Sequence, residues 1–401
     1  MDIIDKLRIL GGDSTIRNER DAATSPYVSL GERCGNTGLP GIYRAAAGGG
    51  CRTPLLRVLM TNVCQFDCRY CSVNCHREVR RASFKPEELV RLFLDLHRRG
   101  TAAGLFLSSG VADAARTQER MLETAALLRQ REGFGGYIHL KLMPGITSDY
   151  VEEAARLASR LSINLEGTTS ERLGVIAPMK DFHADLLTPM EAAARVKEKN
   201  PRLLPAGQVT QLVVGAADES DRETLQAARS LYRLAAMRRV YYSAYHPVCG
   251  EVLAPPVPLA REHRLYQADW LGRFYDIPLE ELTFDDYGNL PLAVDPKLLW
   301  ALRHREGFPL EVNRASYGEL IKVPGIGPRS ARRILAARRR QAFRTLAELA
   351  AIGTVVKRAR HFLLLDGRYF GGRDVMEAQL RREPSPQQLP LWAPQEAPVP
   401  A

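Results

Sequence analysis

Residues 55–75 read LLRVLMTNVCQFDCRYCSVNC. The stretch from Leu55 to Val63 is apolar and β-branched enough for a buried strand. Four cysteines follow within twelve positions, as Cys64-x3-Cys68-x2-Cys71 and then x3 to Cys75. Soft thiolates bunched this closely suit an iron–sulfur cluster or zinc. Structural zinc usually takes two separated pairs, which this spacing lacks. Three thiolates on a [4Fe–4S] cube leave one iron open to a small molecule, so such a cube does chemistry as well as carrying electrons.

Outward from this stretch, helix-like and strand-like segments alternate. PEELVRLFLDLHRRG (86–100) has helical spacing with Gly100 as a stop, and GLFLSS (104–109) is a second strand. ERMLETAALLRQREG (119–133) is a helix and YIHLKLM (137–143) a third strand; SDYVEEAARLASR is the next helix and LSINLEG (161–167) a fourth strand. A helix near 188–199, a fifth strand QVTQLVVGA (208–216), the helix DRETLQAARSLYRLA and a sixth strand VYYSAYHPV (240–248) complete the run. Six strands separated by helices imply parallel pairing through right-handed crossovers. The fold class is therefore α/β, a partial (β/α)6 barrel, although an open doubly wound sheet has the same local pattern. The cysteines follow the first strand, at the C-terminal mouth where barrel active sites sit.

The Cys-x3-Cys-x2-Cys loop after a first strand resembles the radical S-adenosylmethionine (SAM) superfamily, over roughly residues 50–250. Cys64, Cys68 and Cys71 match its three cluster ligands, and Tyr70 matches the aromatic packed near the adenine. The resemblance implies a [4Fe–4S] cluster and SAM as cofactors. It also implies reductive cleavage of SAM to a 5′-deoxyadenosyl radical that takes hydrogen from a substrate, and an electron donor such as flavodoxin or ferredoxin. Cys75 is read as a spare thiol, because a fourth thiolate would close the cube. Cys34, Cys51 and Cys249 stand alone, and burial as small apolar residues is their default.

Family SAM sites use a small-residue turn after the second strand, where this chain has Ser108-Ser109-Gly110. The turn lacks the acid often found there. On the fourth strand Asn164 and Glu166 alternate with Ile163 and Leu165, so both are expected on the pocket face. Val214-Gly215-Ala216 resembles the adenine-contacting segment. Lys141 interrupts the apolar third strand, Tyr245, His246 and Cys249 end the sixth at the mouth, and all four are candidates for substrate binding or proton transfer; a snorkelling lysine and a merely hydrogen-bonded histidine are the plainer alternatives.

The net charge is +10, and the segment from Glu311 to Arg373 alone carries 14 Lys/Arg against 4 Asp/Glu. A neutral body with a small basic module reads as a catalytic domain joined to a polyanion-binding one. Within it, ASYGELIKVPGIGPRSARRILAARRR (315–340) places a helix, a tight turn and a second helix in sequence. This resembles a helix-hairpin-helix, with a degenerate copy at 346–365 turning at Ile352-Gly353, so a small all-α C-terminal domain is expected. Gly325, Ile326 and Gly327 let the backbone approach a phosphate. Pro328 suits a first helical position, and the N–H groups after it face an anion. Arg329, Ser330, Arg332 and Arg333, then Gly353, Lys357 and Arg358 in the copy, complete the candidate phosphate contacts. Such hairpins hold the backbone and do not read bases.

The expected organisation is an extension (1–50), the barrel (51–250), a Pro- and aromatic-rich irregular connection (251–310), the tandem hairpins (311–373) and a tail (374–401). From Pro384 onward six of eighteen residues are Pro, which predicts an extended tail. Its Gln388-Leu389-Pro390-Leu391-Trp392 resembles the peptide by which repair proteins dock on a sliding clamp. A barrel fused to hairpins resembles the DNA modification or repair radical SAM proteins associated with uracil-DNA-glycosylase-like partners, which implies a DNA substrate. An RNA-modifying enzyme, and a DNA-binding repair protein with a structural cluster, are the alternatives. No apolar run approaches the ~18 residues that span a bilayer, so no membrane segment is expected. The charged N-terminus lacks a signal-peptide core, and a cytoplasmic location is expected.

Overall fold

The buried runs of the first 250 residues pair into one seven-stranded sheet, ordered strictly as in the chain. Its strands are β1 (Ile42–Ala46), β2 (Arg52–Leu59), β3 (Gly104–Ser108), β4 (Tyr137–Lys141), β5 (Arg160–Ser162), β6 (Gln208–Val214) and β7 (Met237–Ala244). Strands β2 to β7 are parallel, and β1, absent from the sequence reading, joins the β2 edge antiparallel. The computed structural model describes residues 1–12, 39–46, 52–233, 237–247 and 252–371. Every residue of β3 and of β6 is buried, as expected of strands covered on both faces.

The helices in this half are α1 (Ile3–Leu10), α2 (Pro86–Arg98), α3 (Ala114–Ala126), α4 (Ser148–Leu157), α5 (Ser170–Ile176), α6 (Thr188–Lys199) and α7 (Asp221–Tyr232). Helix α2 shows why these segments are helical. Pro86 opens it, Glu87 and Glu88 face its positive end, and His97 and Arg98 its negative end. Leu89, Val90, Phe93 and Leu96 form the buried stripe. Gly100 then turns the chain at φ +70°, as its place in the sequence predicts.

Arg57, Phe106, His139, Ser162, Asn164, Gln211 and Tyr241, from β2 through β7, line one small hollow. Residues at opposite edges of a sheet meet around one hollow only if the sheet curls, so this is a partial barrel rather than an open sheet. The face is more polar than the branched aliphatic filling usual in barrels. The Arg57 guanidinium lies 5.1 Å over the Phe106 ring, Phe106 stacks on His139 at 4.0 Å, and His139 Nε2 is 2.8 Å from Ser162 Oγ.

The chain divides into two compact units, Met1–Glu219 with Ala227–Val257, and Ser220–Gln226 with Pro258–Ala401. The segment expected to be irregular contains helix α8 (Leu259–Phe274) and helix α9 (Pro296–Arg303). Its prolines hide this only partly: Pro258 and Pro296 stand at helix starts, where a missing N–H costs nothing. Then come α10 (Tyr317–Lys322), α11 (Pro328–Arg338), α12 (Leu346–Ala351) and α13 (Val356–Ala359). A short sheet, β10–β9–β8, made by Leu310–Glu311 (β8), Leu363–Leu365 (β9) and Arg368–Tyr369 (β10), accompanies these helices. No helix among the described residues is long and apolar enough to cross a membrane.

Candidate functional site

The cysteine loop leaves β2 and is bound on several sides. Gln65 N donates to Val111 O at 2.7 Å, and Arg69 N to Ile176 O at 2.9 Å. Asn74 Nδ2 donates to Cys68 O at 3.1 Å. The Arg81 guanidinium donates to the carbonyls of Asn62, Val73, Asn74 and Arg77, gathering both ends of the loop around one planar cation. Asn74 and Arg81 were not singled out in the sequence; the run HREVRR after the last cysteine looks there like an ordinary solvated patch.

Ser108-Ser109-Gly110 packs directly against this loop. Gly110 N donates to Thr61 O at 2.6 Å, and a Cβ on Gly110 would stand 2.6 Å from Val63 O, so only glycine fits. Ser109 Oγ lies 3.3 Å from Thr61 N, and Ser108 is buried at the end of β3.

Cys68 is buried, Cys64 and Cys71 are half-buried, and Cys75 is exposed. The charge of Cys64 acts on both Cys68 and Cys71, and that of Cys68 on Cys71. Burial pushes the Cys71 thiol up to about 12 and raises Cys68 as well, so each must surrender a proton to a metal.

Tyr70 is buried and hydrogen-bonds Glu166; burial, then the charge of Glu166, holds its hydroxyl well above the usual phenol range. Glu166 arrives by a different route from the expected one. Strand β5 ends at Ser162, because Thr210 Oγ1 takes the Leu165 N–H at 3.0 Å in place of a backbone carbonyl. The chain rejoins the sheet only through a lone parallel bridge between Glu166 and Leu212. Glu166 sits at φ +64°, so strand alternation does not aim its side chain. Asn164 stays on the hollow, and Glu166 turns to Tyr70.

Lys180 completes the group and was missed in the sequence, where it lies in a long loop without a pattern. Its side chain is 10% exposed, Nζ is 4.0 Å from Glu166 Oε1 and 5.7 Å from the Phe66 ring, and it lies near enough to Cys68 for each to sense the other's charge. Burial alone would lower this ammonium, but the charges of Cys68, Glu166 and Cys64 outweigh it and keep it protonated.

Beyond β6, Val214 O accepts from Tyr245 N at 2.9 Å, Gly215 turns at φ +81°, and Ala216 is buried. The Glu219 carboxylate accepts from the backbone N–H of Gly215 and of Ala217, fixing this turn. Lys141 is half-buried at the end of β4, opposite Ser162. Tyr245 is buried and its hydroxyl accepts from Leu253 N at 3.1 Å; His246 is exposed. Cys34, Cys51, Cys249 and the segment Gln388–Trp392 lie outside the described residues.

In the second unit the two hairpin turns face each other. Val355 N donates to Gly325 O at 2.9 Å, and Ser330 Oγ to Gly353 O at 2.7 Å. Gly325 (φ +88°) and Gly353 (φ +90°) hold equivalent left-handed positions, as the degenerate repeat predicts. Ile326 is buried, and Gly327 precedes α11 without any side-chain cap. Arg329, Arg332, Arg333 and Lys357 are exposed, whereas Ser330 is buried and Arg358 lies 3.6 Å from Asp295.

Residues 58–231 match the model of the Radical SAM superfamily. This segment is a radical SAM domain. Residues 309–358 match the helix-hairpin-helix motif. No curated protein matches the chain significantly. Among solved structures, the [FeFe]-hydrogenase maturase HydG is similar at 14% identity and a TM-score of 0.43, over 54% of this chain and 48% of that one. A radical SAM methyltransferase from Sphaerobacter thermophilus is similar at 14% identity and 0.41, over 57% and 74%. Methylornithine synthase is similar at 16% identity and 0.40, over 49% and 55%. This chain thus spans about half the length of HydG.

Radical SAM domains bind a [4Fe–4S] cluster and SAM, and the domain marks the chain as an enzyme. The residues present fit the cluster. Among the described residues no three His, Cys, Asp or Glu side chains close on a single ion. Cys64, Cys68 and Cys71 instead stand in one loop beside the buried Tyr70, Glu166 and Lys180, whereas Cys75 is exposed.

Proposed function

We propose that this chain is a radical SAM enzyme acting on DNA, as a nucleotide-modifying or lesion-repairing activity. The observation that carries the reading is the coexistence in one chain of a three-thiol site that leaves out its fourth cysteine and a paired hairpin module with an uncapped, acid-free helix start. When bound, the cluster and SAM supply a one-electron cleavage that ends in hydrogen abstraction from the substrate. The protein's own residues bind and orient. Cys64, Cys68 and Cys71 hold the cluster, Lys180 places a cation against it, and Glu166 anchors both Lys180 and Tyr70. The Gly215 turn, tied by Glu219, and Asn164 lie where SAM and substrate atoms are expected to be held.

The hairpins grip phosphates without reading sequence. With about four phosphates neutralised, log K falls against log salt with a slope near −3.6 on duplex DNA. A base inside a duplex does not reach a buried radical, so the target is flipped out or single-stranded. An electron donor such as flavodoxin or ferredoxin, a uracil-DNA-glycosylase-like partner, a clamp contact through the tail and a cytoplasmic location belong to the same reading.

The test is anaerobic incubation of the reconstituted protein with dithionite, SAM and defined DNA, followed by mass analysis. The expected products are 5′-deoxyadenosine and an altered nucleoside. A loaded cluster that makes no 5′-deoxyadenosine returns the chain to the structural-cluster class, and alteration of RNA alone makes it an RNA enzyme.

A further inference from the structure

The turn between α10 and α11 directs its carbonyls inward. Val323 O accepts from Ile326 N at 3.1 Å, closing the turn, and Gly325 O accepts from Val355 N at 2.9 Å in the partner hairpin. Ile326 O has a partner that the hairpin pattern does not contain. Lys297 Nζ donates to it at 2.6 Å from α9, and Lys297 is 9% exposed. Its ammonium also lies 4.6 Å over the Tyr275 ring.

A trans peptide is planar, and its C=O and N–H point in opposite directions. Pinning the Ile326 carbonyl toward Lys297 therefore turns the Gly327 N–H away from it. Gly327 precedes α11, whose first turn has no side-chain cap and no acid. Arg329 and Ser330 N–H have no carbonyl within the helix to bond, and Pro328 has no N–H. With Gly327 they make three donors on one side of the turn. Gly327 adds no side chain beside these donors, and a Cβ there would meet only the Tyr275 hydroxyl, at 3.5 Å.

We propose that Lys297 is a positioning residue of the nucleic-acid grip: by holding the Ile326 carbonyl inward, it presents the Gly327 N–H, beside the Tyr275 hydroxyl, to a backbone phosphate. The inference rests on the nucleic-acid reading above and extends it to residues outside the hairpin motif. It also gives a buried lysine in the connecting segment a function, since burying a cation is costly even with the Asp295 carboxylate nearby.

The experiment uses the full chain and a fluorescent DNA duplex, with affinity measured by anisotropy across a salt series. Lys297→Met keeps the stem and removes the donor. It is expected to weaken binding about tenfold, as for one lost charge-assisted bond. The slope of log K against log salt should stay near the wild-type value, because the lost contact is a neutral N–H that displaces no counterion. A folded variant with wild-type affinity overturns the proposal, because a merely structural lysine moves thermal stability and leaves the affinity alone.

The wild-type chain provides a second readout that survives a misfolded variant. In 15N-glycine-labelled protein the Gly327 amide, assigned by its absence from Gly327→Ala, is expected to shift when DNA is added. A chain that binds the duplex while this amide stays still overturns the positioning role and leaves the nucleic-acid reading standing. A wild-type chain that binds no duplex ends both.

Discussion

The Glu166 carboxylate stands 4.0 Å from the Lys180 ammonium, whose charge acts on the neighbouring Cys68. A buried cation beside a ligand sulfur favours the more negative, reduced form of an iron–sulfur cluster. Lys180→Met is therefore expected to lower the reduction potential of the reconstituted cluster while iron content is retained, and Lys180→Arg to recover part of the difference. Redox titration followed by electron paramagnetic resonance measures this. An unchanged potential at full iron content would remove Lys180 from the electronics of the site.

Much of the fold was legible because period and punctuation agree. The sixfold alternation, Pro86 and Gly100 around α2, and the two hairpin glycines each rest on a local rule that tertiary structure did not override. The cysteine triad was legible for the same reason, since its spacing is its chemistry. Glu166 marks where such reading stops. Alternation placed it on a strand face, but a side chain from β6, Thr210, takes the N–H that would have extended β5, and a left-handed turn aims the carboxylate instead. Lys180, Arg81 and Lys297 were invisible for one shared reason: each acts on backbone or sulfur brought near only by folding, and no spacing encodes that.

The three coupled cysteines should be separable from the fourth. Replacing Cys64, Cys68 or Cys71 by Ala is expected to abolish cluster loading and SAM cleavage. Cys75→Ala should retain full iron content and cleavage, because Cys75 is exposed whereas the other three are buried or half-buried. Iron analysis and the visible absorbance of the anaerobic protein decide it. Loss of iron in Cys75→Ala would make the cube four-thiolate and the proposed chemistry untenable.

The reciprocal hairpin contact should be a local keystone. A Cβ on Gly325 would stand 2.5 Å from Val355 O at a backbone angle of +88°, so Gly325→Ala must move the turn. Ser330→Ala removes only the bond to Gly353 O and should cost about 1 kcal/mol. Hydrogen exchange at the Val355 amide, which donates to Gly325, reads local opening without assuming that two units melt as one. Faster exchange is expected in both variants, more in Gly325→Ala; no change in either would mean that the turns stand independently.

Lys297 gives the second unit a pH dependence of definite sign. Burial pushes its ammonium down to about 7, with Asp295 opposing the shift and Arg358 adding to it. In the unfolded chain a lysine titrates near ~10.4. Below about pH 7 both states carry the proton, and the full cost of burying the charge is present. Between about 7 and ~10.4 the unfolded chain binds more protons than the folded one, so stability rises with pH through this window and is flat beyond it. A shift of this size corresponds to about 5 kcal/mol at most. Hydrogen exchange of α9 and α11 amides at pH 6 and pH 9, corrected for intrinsic rates, is expected to show greater protection at pH 9 in the wild type. Lys297→Met should lack the difference, because methionine carries no charge to bury. An equal pH response in the two proteins would mean that Lys297 keeps an ordinary proton affinity, and that the bond to Ile326 O is made by a well-solvated ammonium.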